Sequence, residues 1–178
     1  MATRAPSRDP MTLVHEAKEP VTVAAGPYGH PFHPILVTLP IGAWICSLIF
    51  DIATRVNDAG SAHLVDASYW LIGIGIIGAA VAALFGLMDL LAIPRGTKAF
   101  ATGLTHLTLN VLVLGAFVVD FFWRHDSYYE STKVRAGQLI LSAAAIAVLA
   151  VSGWLGGRLA YRFGVRVADE SEQAAGYR

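Results

Sequence analysis

The sequence predicts an all-α fold, a four-transmembrane-helix up-down bundle with a disordered N-terminal tail. Three observations lead there. First, Asp, Glu, Lys and Arg are absent from four stretches, 20–50, 67–88, 99–119 and 136–157. Crossing a hydrocarbon core takes about 20 mostly apolar residues, and each stretch supplies them. Second, 55% of the 178 residues are hydrophobic and only 15% are charged, where about 25% charged is usual for a soluble domain. Third, the stretches are apolar nearly all round, as in ASYWLIGIGIIGAAVAALFGLMDLLAI. A soluble bundle would need a polar face on each helix.

The elements follow in order. The first 33 residues hold five of the eight prolines and no apolar periodicity. Residues 1–27 therefore read as a flexible cytoplasmic tail. The start lacks the apolar core of a signal peptide, so the first helix is expected to be an uncleaved anchor. The spans are expected at 34–54, 68–93, 101–123 and 138–161, within a transmembrane domain of 28–163. Short loops make consecutive helices antiparallel neighbours. Pro40 removes one backbone hydrogen bond and is expected to kink the first span. Gly78, Ala82 and Gly86, and in the last span Gly153 and Gly157 with Ser152, Gly156 and Ala160, are spaced for close helix approach. Cys46 reads as a small packing residue. Residues 164–178 read as a short cytoplasmic tail.

The 13 Lys and Arg balance 13 Asp and Glu, which argues against nucleic acid as a partner. One cysteine excludes an intrachain disulfide. The expected partner is the lipid bilayer, with a redox partner protein or a second copy as further candidates. Nine cations (Arg4, Arg8, Lys18, Arg95, Lys98, Arg158, Arg162, Arg166, Arg178) fall on the side of both termini. Four (Arg55, Arg124, Lys133, Arg135) fall on the other. The positive-inside bias predicts a multi-pass protein of a bacterial inner membrane with both termini cytoplasmic.

Ionisable groups within spans are costly and face the bundle interior. Two clusters emerge. At the terminal side, His33 precedes the first span, Asp89 ends the second, and His106 and Asn110 share one face of the third. His33, Asp89 and His106 are expected at one depth. Two imidazoles can hold a haem iron, or a transition metal with a carboxylate. His33 and His106 are thus the candidate metal ligands, with Asp89 and Asn110 as cofactor-site partners and haem b or a transition metal as candidate cofactors. The alternative is interhelical hydrogen bonding without a cofactor. At the far side, Asp51 and Asp120 each have an arginine four residues on, Arg55 and Arg124. These read as i,i+4 pairs whose arginines reach the headgroups, with a proton-relay role as the alternative. His15, His63 and His125 are expected to be solvated.

Neither Ser47 nor Ser152 is expected beside a histidine base, and no CxxCH or HExxH motif is present. Catalytic residues are therefore not assigned. The first and third spans both run from a histidine-marked start to an Asp-x-x-x-Arg end, a hint of a duplicated helix pair.

The stretch GHPFHPILVTLPIGAW carries His30, Pro31, His33, Pro34, Pro40, Ile41 and Gly42. It is followed by Phe85, Gly86 and Asp89, then by His106 and Asn110. This pattern resembles a family of small bacterial membrane proteins, domain of unknown function 2231, over residues 28–161. The resemblance implies a four-helix inner-membrane protein. Relatives bearing a Rieske-type iron–sulfur domain would suit a redox role, but this chain lacks that domain and its Cys/His ligands. Three functional readings stand: a redox bundle, a structural or accessory subunit, and a small transporter or proton path.

Overall fold

The computed structural model describes residues 8–57 and 61–178. Its elements are α1 (Pro10–Lys18), a 3-10 turn (Val23–Ala25), α2 (His33–Leu36), α3 (Thr38–Val56), α4 (Ser61–Ala92), α5 (Lys98–His125), α6 (Ala136–Tyr161) and α7 (Glu170–Ala175). No strand occurs among the described residues. Four helical spans are long and apolar enough to cross a membrane: α2 with α3 (His33–Val56), α4, α5 and α6.

Each boundary has a local cause. Pro40 cannot donate to the Leu36 carbonyl, and the first span is interrupted at Val37, between α2 and α3. The expected kink falls on a one-residue break at Val37, whose backbone stays near helical at φ −67° and ψ −16°. Helix α4 ends at Ala92, just before Ile93-Pro94, because a residue preceding proline disfavours helical geometry. Gly96, at φ 81°, turns the chain. The Thr97 hydroxyl then accepts from the Phe100 N–H at 3.1 Å and caps α5. At the start of α6, the Gln138 side chain accepts from the Arg135 N–H at 3.1 Å.

Helices α3 and α4 form one antiparallel pair and α5 and α6 another, joined by α4 against α5 and α3 against α6. Trp44 stacks on Phe117 with ring centroids 4.2 Å apart. Ile72, Val113 and Ala145 close this central layer. The Trp44 indole N–H donates to the Ile72 carbonyl at 3.3 Å. Gly75 makes room for the indole: a Cβ there would lie 2.2 Å from Trp44 Nε1. Gly78 and Gly86 likewise lie against Leu39, Pro40 and His33, so this small-residue stripe packs within the bundle. Cys46 faces out of the bundle instead of packing in it. Trp70, Trp123, Trp154 and Tyr161 are exposed, as an interfacial belt requires.

The expected tails differ from the structure over their described residues. Residues 8–27 contain α1 and the 3-10 turn, and residues 164–178 contain α7. The two segments hold each other. Arg166, with φ 60° and 3% exposed, donates to the carbonyls of Gly26 (2.9 Å) and Ala25 (3.3 Å). Lys18 Nζ pairs with Asp169 at 2.8 Å. Ala17, Leu90, Ile93 and Val165 form an apolar layer beneath them. Residues 1–7 of the expected tail lie outside the described residues.

Candidate functional site

His33 opens α2, and its ring reaches α4, where Nδ1 lies 2.9 Å from the Ala82 carbonyl. His106, on α5, does the same to α6: Nδ1 lies 2.8 Å from the Ser152 carbonyl. A carbonyl oxygen only accepts, so both rings carry a proton on Nδ1, and in the neutral ring Nε2 is left as the acceptor. In each case a glycine stands four residues beyond the accepting carbonyl. A Cβ on Gly86 would lie 2.8 Å from His33 Cε1, and one on Gly156 would lie 3.1 Å from His106 Cε1. The missing side chain lets each imidazole lie against the helix and share a carbonyl that has a second lone pair.

The two halves meet here. The His33 and His106 rings are 6.2 Å apart between centroids and nearly perpendicular, at 89°. Asn110 Nδ2 lies 3.0 Å from His106 Nε2 and donates to it. The Ser152 hydroxyl donates to the His106 carbonyl at 3.3 Å and stands 3.0 Å from Nδ1. Asp89 is turned elsewhere. Its Oδ1 accepts from Arg166 Nε at 2.8 Å, and no hydrogen bond joins it to either histidine among the described residues. The structure thus brings His33, His106 and Asn110 together. It gives Asp89 to the clasp that holds the terminal segments. Among the described residues no three His, Cys, Asp or Glu side chains gather as a metal-binding group.

The far cluster differs from the sequence expectation. Asp51 pairs with Arg124, not with Arg55. Both carboxylate oxygens of Asp51 accept from Arg124 at 2.8 Å. Arg124 Nη2 also donates to Asp120 Oδ2 at 2.7 Å, the expected i,i+4 pair. The Ser68 hydroxyl donates to Asp51, and Ser142 donates to Asp120 Oδ2 at 2.9 Å. Asp51, Asp120, Ser68 and Ser142 are fully buried and Arg124 is 2% exposed. Arg124 therefore does not reach the headgroups but ties α3, α4, α5 and α6 together. Arg55 is exposed and donates to the Val134 carbonyl at 3.2 Å. His125, expected to be solvated, meets the Tyr69 hydroxyl at 2.9 Å.

Ser68, Ser142 and Ser152 are site residues that the sequence reading did not single out for this role. The only sequence trace is their correspondence between halves. His33 and His106, Asp51 and Asp120, Ser68 and Ser142, Ala82 and Ser152, and Gly86 and Gly156 are 69 to 74 positions apart. The α5–α6 pair places the same residue types as α2, α3 and α4 do, with an offset that shifts by four residues, about one helical turn, along each span.

Four apolar spans with an inward-facing histidine pair define a small multi-span membrane protein. The chain belongs to the domain of unknown function 2231 family, described as a predicted membrane protein, whose model matches residues 29–169. No curated protein and no solved structure matches the chain.

Proposed function

We propose that the chain is a redox protein of the bacterial inner membrane, in which His33 and His106 bind one transition-metal ion or haem b iron through Nε2. One observation supports the reading: two histidine rings from different halves lie 6.2 Å apart between centroids, each with Nδ1 bonded to a backbone carbonyl. Two imidazoles on opposite sides of one ion, with bonds of about 2.0–2.1 Å, would have centroids about 6 Å apart; here the separation is 6.2 Å. A metal-ligating histidine usually donates its other N–H to a carbonyl, carboxylate or water. Both rings do so, to Ala82 and Ser152. Asn110 acts as a guard: its amide covers His106 Nε2 and must turn aside when an ion binds. Asp89 acts at a distance, through Arg166, by fixing the segments next to His33. The Lys and Arg bias supports cytoplasmic termini and a site near the cytoplasmic face. An ion held there would supply one-electron chemistry for exchange with a partner protein or a second copy at that face.

A second reading has its own support. The same Nδ1–H bonds join α2 to α4 and α5 to α6, as an accessory subunit held by polar contacts requires. Such bonds between membrane helices contribute roughly 0.6–2 kcal/mol and need no cofactor.

The test is an absorption spectrum of detergent-purified protein, oxidised and then dithionite-reduced, with metal analysis on the same sample. Stoichiometric metal or a Soret band that shifts on reduction, lost in His33→Ala and His106→Ala, supports the redox reading. A colourless, metal-free protein after expression with ample iron and haem contradicts it and leaves the accessory-subunit reading.

A further inference from the structure

We propose that the Asp51–Arg124–Asp120 network is a proton-binding site, taking up one exchangeable proton per chain on Asp120. It stands apart from the histidine pair: Asp120 lies 14 residues beyond His106 on α5, about 21 Å along the helix. The first observation is stoichiometric. Two fully buried carboxylates share one buried guanidinium. With both acids ionised, the network carries one uncompensated negative charge in a water-poor interior. An unbalanced buried charge is strongly disfavoured, and like carboxylates sharing a site do not both ionise readily.

The second observation separates the two acids. Asp51 accepts at both oxygens, from Arg124 and Ser68. Asp120 accepts from Arg124 and Ser142 at Oδ2 alone, while its Oδ1 is buried without a partner. Oδ1 is therefore where the proton attaches. Hydronium gives up a proton, an O–H bond forms at Oδ1, and water leaves; no electrons move. Tyr128 and Lys133, from the segment after α5, line a small cavity with Arg124. Arg55, on α3, turns to the Val134 carbonyl. Tyr69, on α4, and His125, on α5, bond each other. From α6 the facing groups are the neutral Ser142 and Gln138.

Space for water reaches the network at Arg124, one hydrogen bond short of Asp120. A cavity of about 10 Å³, lined by Arg124, Ser127, Tyr128, Ser131, Lys133 and Gln138, opens toward the α5–α6 loop. That is about the space of one water molecule. Arg124 Nε and Gln138 Nε2 are buried donors without a partner, so the residues lining the cavity carry spare donors at the edge of the network.

Infrared difference spectroscopy of the whole protein in detergent tests this directly. The wild type at neutral pH should show the C=O stretch of a protonated carboxyl, shifted in deuterium oxide. Asp120→Asn should abolish that band. A wild type without such a band, or a band unchanged in Asp120→Asn, overturns the proposal. Should Asp120→Asn fail to fold, Ser142→Ala decides: loss of its hydrogen bond must move the band's frequency, and an unmoved band overturns the assignment.

Discussion

Replacing Arg124 by Met should cost far more than the same change at Arg55, although the sequence presents the two as equivalent ends of Asp-x-x-x-Arg. Arg124 is 2% exposed and donates to Asp51 twice, to Asp120 and to two serines. Arg124→Met leaves the buried Asp51 carboxylate and Asp120 carboxyl without their shared cation. Removing one partner of a buried ion pair typically costs about 3–5 kcal/mol. Arg55 is exposed and, among the described residues, gives one hydrogen bond, to the Val134 carbonyl at 3.2 Å. Losing such a bond costs about 0.5–1.5 kcal/mol. The assay is reversible unfolding in mixed micelles, titrated with dodecyl sulfate and followed by tryptophan fluorescence. The penalty should shrink when Asp51 and Asp120 are changed to Leu together with Arg124→Met, because a buried ionic network replaced by apolar residues is often close to neutral. Equal costs for Arg124→Met and Arg55→Met would refute the reasoning, since the buried four-helix network would then carry no special weight.

Other outcomes follow from the geometry. Gly75→Ala should destabilise by about 1–3 kcal/mol through overpacking against Trp44, seen as an earlier unfolding midpoint and a changed Trp44 emission. Gly86→Ala should push the His33 ring off its carbonyl more than Gly156→Ala displaces His106, because the new Cβ would be 2.8 Å from one ring and 3.1 Å from the other; imidazole nitrogen shifts by NMR would report this. The hydrogen bond between Lys18 and Asp169 holds the carboxyl below its ordinary range and the ammonium above its own. Asp169's contribution is complete above about pH 3.9 and is lost as pH falls through its lower folded value. Lys18's contribution is complete below about pH 10.4 and is lost as pH rises through its higher folded value. Proteolysis of residues 8–27 should therefore be slow across the neutral range and accelerate at both extremes. Arg166→Ala should accelerate it at neutral pH, by freeing Asp89 and the Ala25 and Gly26 carbonyls.

The four spans were legible because a bilayer enforces the absence of charge, a property that can be counted along one chain. Pro40 marked its break for an equally local reason: a missing N–H. The histidine pair and Asn110 were legible because polar groups in such helices must face inward. Their partners were not, because a backbone carbonyl such as Ala82 or Ser152 leaves no mark in the residue code beyond the glycine four positions later. Asp51 was assigned to Arg55 by spacing, yet it found Arg124 on another helix. Nearness along one helix says nothing of which side chain is buried. The order in residues 8–27 was hidden for the same reason: its anchors, Arg166 and Asp169, lie about 140 to 150 residues further along the chain.

In the proposed site His33 and His106 would present their Nε2 atoms to one shared ion. The most direct test is to titrate metal-free protein with copper(II) and record electron paramagnetic resonance. The account predicts saturation at one ion per chain, with hyperfine coupling to two imidazole nitrogens. Each of His33→Ala and His106→Ala should remove one of them. Copper that fails to saturate, or a signal unchanged in both variants, would contradict it.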